Sequence, residues 1–300
     1  MWIRALALLS LAALPATALA TILPPNDLDK EDCLECERVN SNGGEAEFNA
    51  TIDKLQKMFA PIVAKQGAKL TIEKRFKDPT VNAFASQPSE TDWRVVMFGG
   101  LFRRAEVTPD GFAMVVCHEI GHHVAGHAFY EGEGEFAASE GQSDYWATQA
   151  CAKKVFGGEA ALNQKFKPLI PKFLAAQCDE RHALASDEGV CYRTMSAGQS
   201  LANLLAALGE SKKPDAATPD KAVVKKTFTS HPEAQCRLDT YIAGALCKRA
   251  FNFDIIPGKN NPNGQDSFEA QQEAFQTSCQ QGVFKLGFRP RCWFAPVSAL

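Results

Sequence analysis

The apolar positions of the chain fall into a few clear periodic runs. From Glu45 to Gln66, Phe48, Ile52, Leu55, Phe59, Ile62 and Val63 recur at spacings of three and four, which predicts an amphipathic helix. Two extended stretches follow: Lys69 to Arg75, with Leu70 and Ile72 in alternation, and Trp93 to Phe98, rich in β-formers. Between them, Val81 to Ala85 predicts a short edge strand. Thr108-Pro109-Asp110 opens a second helix with a capping hydroxyl, a proline at the first helical position and an acid in the first turn. That helix should pass through His122 to about His127. A loop rich in glycine and glutamate, Glu131 to Glu135, separates it from a helix that starts near Ser139 and ends at Gly157-Gly158. Further helical patterns cover about 159–177, 193–208, 232–248 and 267–281, and Glu210 to Lys221, with Pro214 and Pro219, reads as an exposed loop. Few strands among many helices predict an α+β domain with a small sheet.

Residues 1–20 read as an export signal: Arg4, an apolar run from Ala5 to Leu14, Pro15, and the small-residue end Ala18-Leu19-Ala20. The run is shorter than the roughly 20 apolar residues a spanning helix needs, so no stable membrane insertion is expected once it is cleaved. The protein should then be periplasmic or secreted. Residues 21–44 form an irregular leader with Cys33 and Cys36, residues 45–248 the main domain, and residues 249–300 a Cys-containing extension. All ten cysteines follow the signal, and an even number in an exported chain suggests up to five disulfides of undefined connectivity. Free thiols at Cys33 and Cys36 could instead cap a metal, a minor alternative to disulfide bonding. A net charge of −3, with lysine pairs scattered and not interleaved with aromatics, excludes a nucleic-acid partner.

The chemistry concentrates at His118-Glu119-Ile120-Gly121-His122. On a helix the two histidines lie one turn apart on one face and can converge on one Zn2+ per chain. Glu119, offset by about 100° around the helix, can act as general base toward a water on the metal. A catalytic zinc takes a third protein ligand. The helix does not continue into the metzincin pattern, because Ala125 and Ala128 stand where that pattern requires glycine and histidine. Glu140 is the favoured ligand, since Asp144 lies one turn later on the same face and can hydrogen-bond the outer nitrogen of a ligand histidine. Glu131, Glu133 and Glu135 compete for the role from a less rigid loop. His123, His127 and His182 are read as structural or surface residues.

With these residues in place the chain resembles the M48 peptidase family, the gluzincin group that includes the CAAX prenyl proteases, a heat-shock membrane protease and soluble periplasmic members. The resemblance rests on Asn82-Ala83-Phe84-Ala85, the Trp93 to Leu101 segment, His118 to His127, Glu140 with Asp144, and His231-Pro232 followed by Arg237. It implies a mostly helical, disulfide-stabilised zincin-like fold. It further implies zinc on His118, His122 and Glu140, catalysis by Glu119 with His231 as oxyanion stabiliser or gate, and Asp144 and Arg237 as support. Asn82, Ala83 and Phe84 would lie on the edge strand that pairs with an extended protein or peptide substrate. The chain departs from the family in Gly111, in its cysteine count and in lacking multiple membrane spans. The expected function is a zinc endopeptidase; the alternative is a catalytically weak peptide-binding or chaperone-like protein on the same fold.

Overall fold

The structure, a computed structural model, describes residues 19–28, 42–131, 135–208, 212–279 and 287–297. Most of the expected export signal, both leader cysteines Cys33 and Cys36, and Glu133 lie outside those residues.

Helix α1 (Glu45–Ala64) buries the Phe48, Ile52, Leu55, Phe59 and Val63 stripe against a four-stranded mixed sheet and the motif helix. The strands are β1 (Ala20–Thr21), β2 (Lys69–Arg75), β3 (Ala83–Ser89) and β4 (Asp92–Phe98), in spatial order β1-β3-β4-β2. β4 runs parallel to β2 and antiparallel to β3, and β1 is antiparallel to β3. The strand predicted at 81–85 begins at Ala83 and is covered on its outer side by the chain's own residues 20–21, so it is not the open edge expected. A short helix α2 (Gly99–Phe102) follows β4.

Helix α3 (Pro109–Val124) carries the motif and is buried from Gly111 onward. Thr108 Oγ1 caps it by accepting from the Gly111 N–H at 3.0 Å. Gly111 is required by packing: a Cβ there would stand 2.3 Å from Ser200 Oγ. The helix predicted from Ser139 is three pieces in register, α4 (Glu140–Trp146), a π-helical turn (Ala147–Cys151) and α5 (Ala152–Phe156). The Cys117–Cys151 disulfide ties that π turn to α3.

The single helix expected over 159–177 is broken by Pro168 and Pro171 into α6 (Ala160–Asn163), a 3-10 stretch (Gln164–Leu169) and α7 (Lys172–Arg181). Helix α8 (Ala185–Ala207) starts earlier than its apolar pattern, because Ala185, Ser186 and Asp187 are exposed and leave no periodic signal. Helices α9 (Ala234–Leu246) and α10 (Phe268–Phe275) complete the helical layer.

Three further disulfides, Cys178–Cys191, Cys236–Cys292 and Cys247–Cys279, are present among the described residues. The last two fix the C-terminal segment to α9. Trp293 of that segment is fully buried, donates from Nε1 to Thr240 Oγ1 at 3.0 Å, and sits so close to α4 that a Cβ on Gly141 would meet its ring at 2.2 Å.

Candidate active site

The helical spacing of the motif places His118 and His122 on one face of α3, with their rings 4.6 Å apart. Each outer nitrogen is held. His118 Nδ1 pairs with Asp144 Oδ1 at 2.8 Å, and His122 Nδ1 donates to the Ala138 carbonyl at 2.7 Å. Both Nε2 atoms therefore point inward, toward the Glu140 carboxylate, at 3.2 Å from His118 and 3.4 Å from His122. Glu140 reaches this position because α4 packs tightly on α3: a Cβ on Gly121 would lie 2.4 Å from Ser143 Oγ, the hydroxyl that donates to the His118 carbonyl. The Tyr130 hydroxyl donates to Glu140 Oε1 at 2.7 Å and fixes its rotamer.

Asp144 is in turn clamped by Arg237, whose Nε and Nη2 donate to its two oxygens at 2.6 and 2.7 Å. Asp144, Arg237, His118, Glu119, His122 and Glu140 are all fully buried. The electrostatics follow from that arrangement. Burial pulls the His118 imidazolium down, but the Glu140 and Asp144 carboxylates outweigh it and push the group up to about 9. Burial dominates at His122 and brings it down to about 4. For Glu140, burial is outweighed by the two imidazoles and the carboxyl is held well below its ordinary range. The two imidazoles and the carboxylate face one common space.

That space suits a cation. Buried polar atoms are almost always partnered, yet His118 Nε2, His122 Nε2, Glu140 Oε2 and both Glu119 oxygens lack a hydrogen-bond partner within the protein. Ligand atoms of His118, Glu119 and His122 lie within 4.8 Å of one another. Two imidazole nitrogens and a carboxylate oxygen form a donor set that fits zinc, and Glu119 stands beside them. Glu119 also has its carboxyl pushed well up by burial.

The remaining sequence candidates separate. His231 reaches the site with Nε2 3.7 Å from Glu140 Oε1. Asn82 immediately precedes β3 and Ala83 opens it, while Phe84 packs its ring 5.9 Å from Phe98. Of the competing glutamates, Glu131 points away in an ion pair with Lys226 at 2.7 Å, and Glu135 is exposed. His123 is buried in a stack on Trp93, with Nε2 donating to the Arg94 carbonyl at 3.1 Å. His127 and His182 are also buried and bonded to carbonyls, so none of the three is a surface residue.

Sequence reasoning missed Tyr130, the Ala138 carbonyl and Ser143. None carries a pattern of its own; their roles exist only once α4 is folded back against α3.

A sheet with a covered strand and a buried motif helix thus surround a His-Glu-His cluster that could hold a metal ion. Residues 49–135 match Peptidase family M48, a stretch that includes β3, β4 and the whole of α3. Within that stretch, less than a third of the chain, the protein is similar to the M48 peptidases. Glu140, Asp144, His231 and Arg237 lie beyond the matched residues. No curated protein and no solved structure matches the chain.

Proposed function

We propose that the protein is a zinc endopeptidase that hydrolyses peptide bonds of protein substrates outside the cytoplasm. The observation that carries this reading is the convergence of three unpartnered buried atoms, His118 Nε2, His122 Nε2 and Glu140 Oε2, beside an unpartnered Glu119. A bound zinc would supply Lewis acidity and a water of lowered pKa. His118, His122 and Glu140 would hold it, with the outer bonds to Asp144, Ala138 and Tyr130 fixing the ligand orientations. Glu119 would take the proton of the attacking water on its carboxylate and pass it to the leaving nitrogen. His231 Nε2 would donate to the carbonyl oxygen as negative charge develops there. Arg237 would neutralise Asp144 and orient the substrate backbone.

A peptide holder of the same fold has no use for Glu119: a buried carboxylate without a partner costs stability and serves no structural end. Placement outside the cytoplasm is supported by four disulfides.

The test is Glu119→Gln, which should keep one zinc per chain and slow cleavage of an unfolded protein by about 100- to 10,000-fold. Cleavage at the parent rate would show that the assigned base is wrong.

A further inference from the structure

The outer edge of β3 is not bare. Residues 20–23 lie along β3 in the antiparallel direction, with Ala20 opposite Ala85 and Thr21 opposite Phe84. The pairing continues past the strand: the Ile22 N–H donates to the Ala83 carbonyl at 3.2 Å. Asn82 then clasps the next residue, accepting from the Leu23 N–H at 3.2 Å and donating to the Leu23 carbonyl at 3.1 Å. Pro24, which has no N–H, ends the pairing, and Asn26 turns the chain away by donating to the Pro24 and Val81 carbonyls at 3.0 and 3.2 Å.

Polar groups meet this segment one carbonyl at a time. His231 Nε2 lies 2.7 Å from the Thr21 oxygen, and Arg237 Nη1 donates to the Ile22 oxygen at 2.6 Å. The Thr21–Ile22 peptide bond therefore has its carbonyl at His231, the group assigned above to the developing oxyanion, and the next carbonyl at Arg237. Ile22 and Leu23 are 1% and 0% exposed and belong to the main apolar core, whereas Thr21 is only half-buried.

We propose that Thr21-Ile22-Leu23 occupies the substrate strand in cleavage register, and that the site selects extended segments with a branched aliphatic residue, followed by leucine, directly after the cut bond. This rests on the endopeptidase reading above. In such a substrate the hydroxyl of water is added to the carbonyl carbon preceding the aliphatic residue, the C–N bond breaks, and the water's proton leaves on the new amine through Glu119. The chain's own segment competes for the same edge of β3, so the enzyme is held partly closed by a sequence resembling its preferred substrate.

The test uses the full chain, a fluorogenic peptide Leu-Ala-Thr-Ile-Leu-Pro-Pro-Asn copied from residues 19–26, and the same peptide with aspartate in place of isoleucine. The first should be cut between threonine and isoleucine, and the aspartate version about a hundredfold more slowly. Ile22→Asp in the chain should expel the resident segment and lower the apparent KM for the first peptide by about tenfold. After zinc is stripped, fluorescence polarisation should still show that peptide binding more tightly to the Ile22→Asp chain than to the parent. Should Ile22→Asp fail to fold, the parent suffices: its Ile22 and Leu23 amides should exchange slowly alone and quickly with excess peptide. Cutting at another bond, equal turnover of both peptides, or exchange that ignores the peptide would overturn the proposal. If an unfolded protein is still cleaved in a Glu119-dependent way, only the register and preference fall and the endopeptidase reading stands.

Discussion

Individual side chains divide into those visible from spacing and those visible only in the folded chain. His118, Glu119 and His122 are legible because a helix converts a four-residue interval into a shared face. Glu140 with Asp144 is legible for the same reason, and the structure brings all of them together. Tyr130 is not legible, because it lies in the connection between helices where no period operates. Its hydroxyl nevertheless holds Glu140 Oε1 at 2.7 Å inside a buried site. Tyr130→Phe removes that one bond and keeps the ring. It should weaken zinc binding by about 10- to 100-fold, measured by competition with a chromogenic chelator, while leaving the circular dichroism spectrum unchanged. Unaltered affinity would show that Glu140 needs no such support.

At the scale of elements, strands β2 and β4 and helices α1 and α9 fall close to where their apolar periods put them. The misplaced boundaries have local causes: prolines at 168 and 171 divide one predicted helix, and an exposed polar first turn hides the start of α8. The register of α3 on α4 is set by a contact that no periodicity encodes, the approach of the Gly121 backbone to Ser143 and Trp146. Gly121→Ala should drive Ser143 off the His118 carbonyl and cost about 1–3 kcal/mol, read from the denaturation midpoint. Gly158→Ala, where an added Cβ meets nothing within 4 Å, is the control and should be nearly neutral. Equal effects at the two positions would mean that the tight packing of α3 on α4 does not matter. The covered β3 edge has a different origin. Residues 21–44 lack periodicity and read as an irregular leader, yet Thr21 to Leu23 find their partners about sixty residues away, on β3 and Asn82.

Across the whole molecule, the small sheet and helical layer enclose the cluster, and covalent links secure it. Cys117–Cys151 joins the motif helix to the π turn after α4, so the elements carrying His118 and Glu140 cannot drift apart. Cys236–Cys292 and Cys247–Cys279 hold the C-terminal segment, with Trp293, against the back of α4. An even cysteine count foretells such staples but not their pairing, which depends on contacts between distant segments. The architecture is that of a rigid cage around the His118, His122 and Glu140 cluster. The most direct measurement is therefore elemental analysis of the purified full chain alongside cleavage of an unfolded protein, before and after dialysis against a chelator. One zinc per chain should be found, cleavage should vanish when it is removed, and restored zinc should recover both. Absence of stoichiometric zinc, or cleavage that survives its removal, would contradict the central claim.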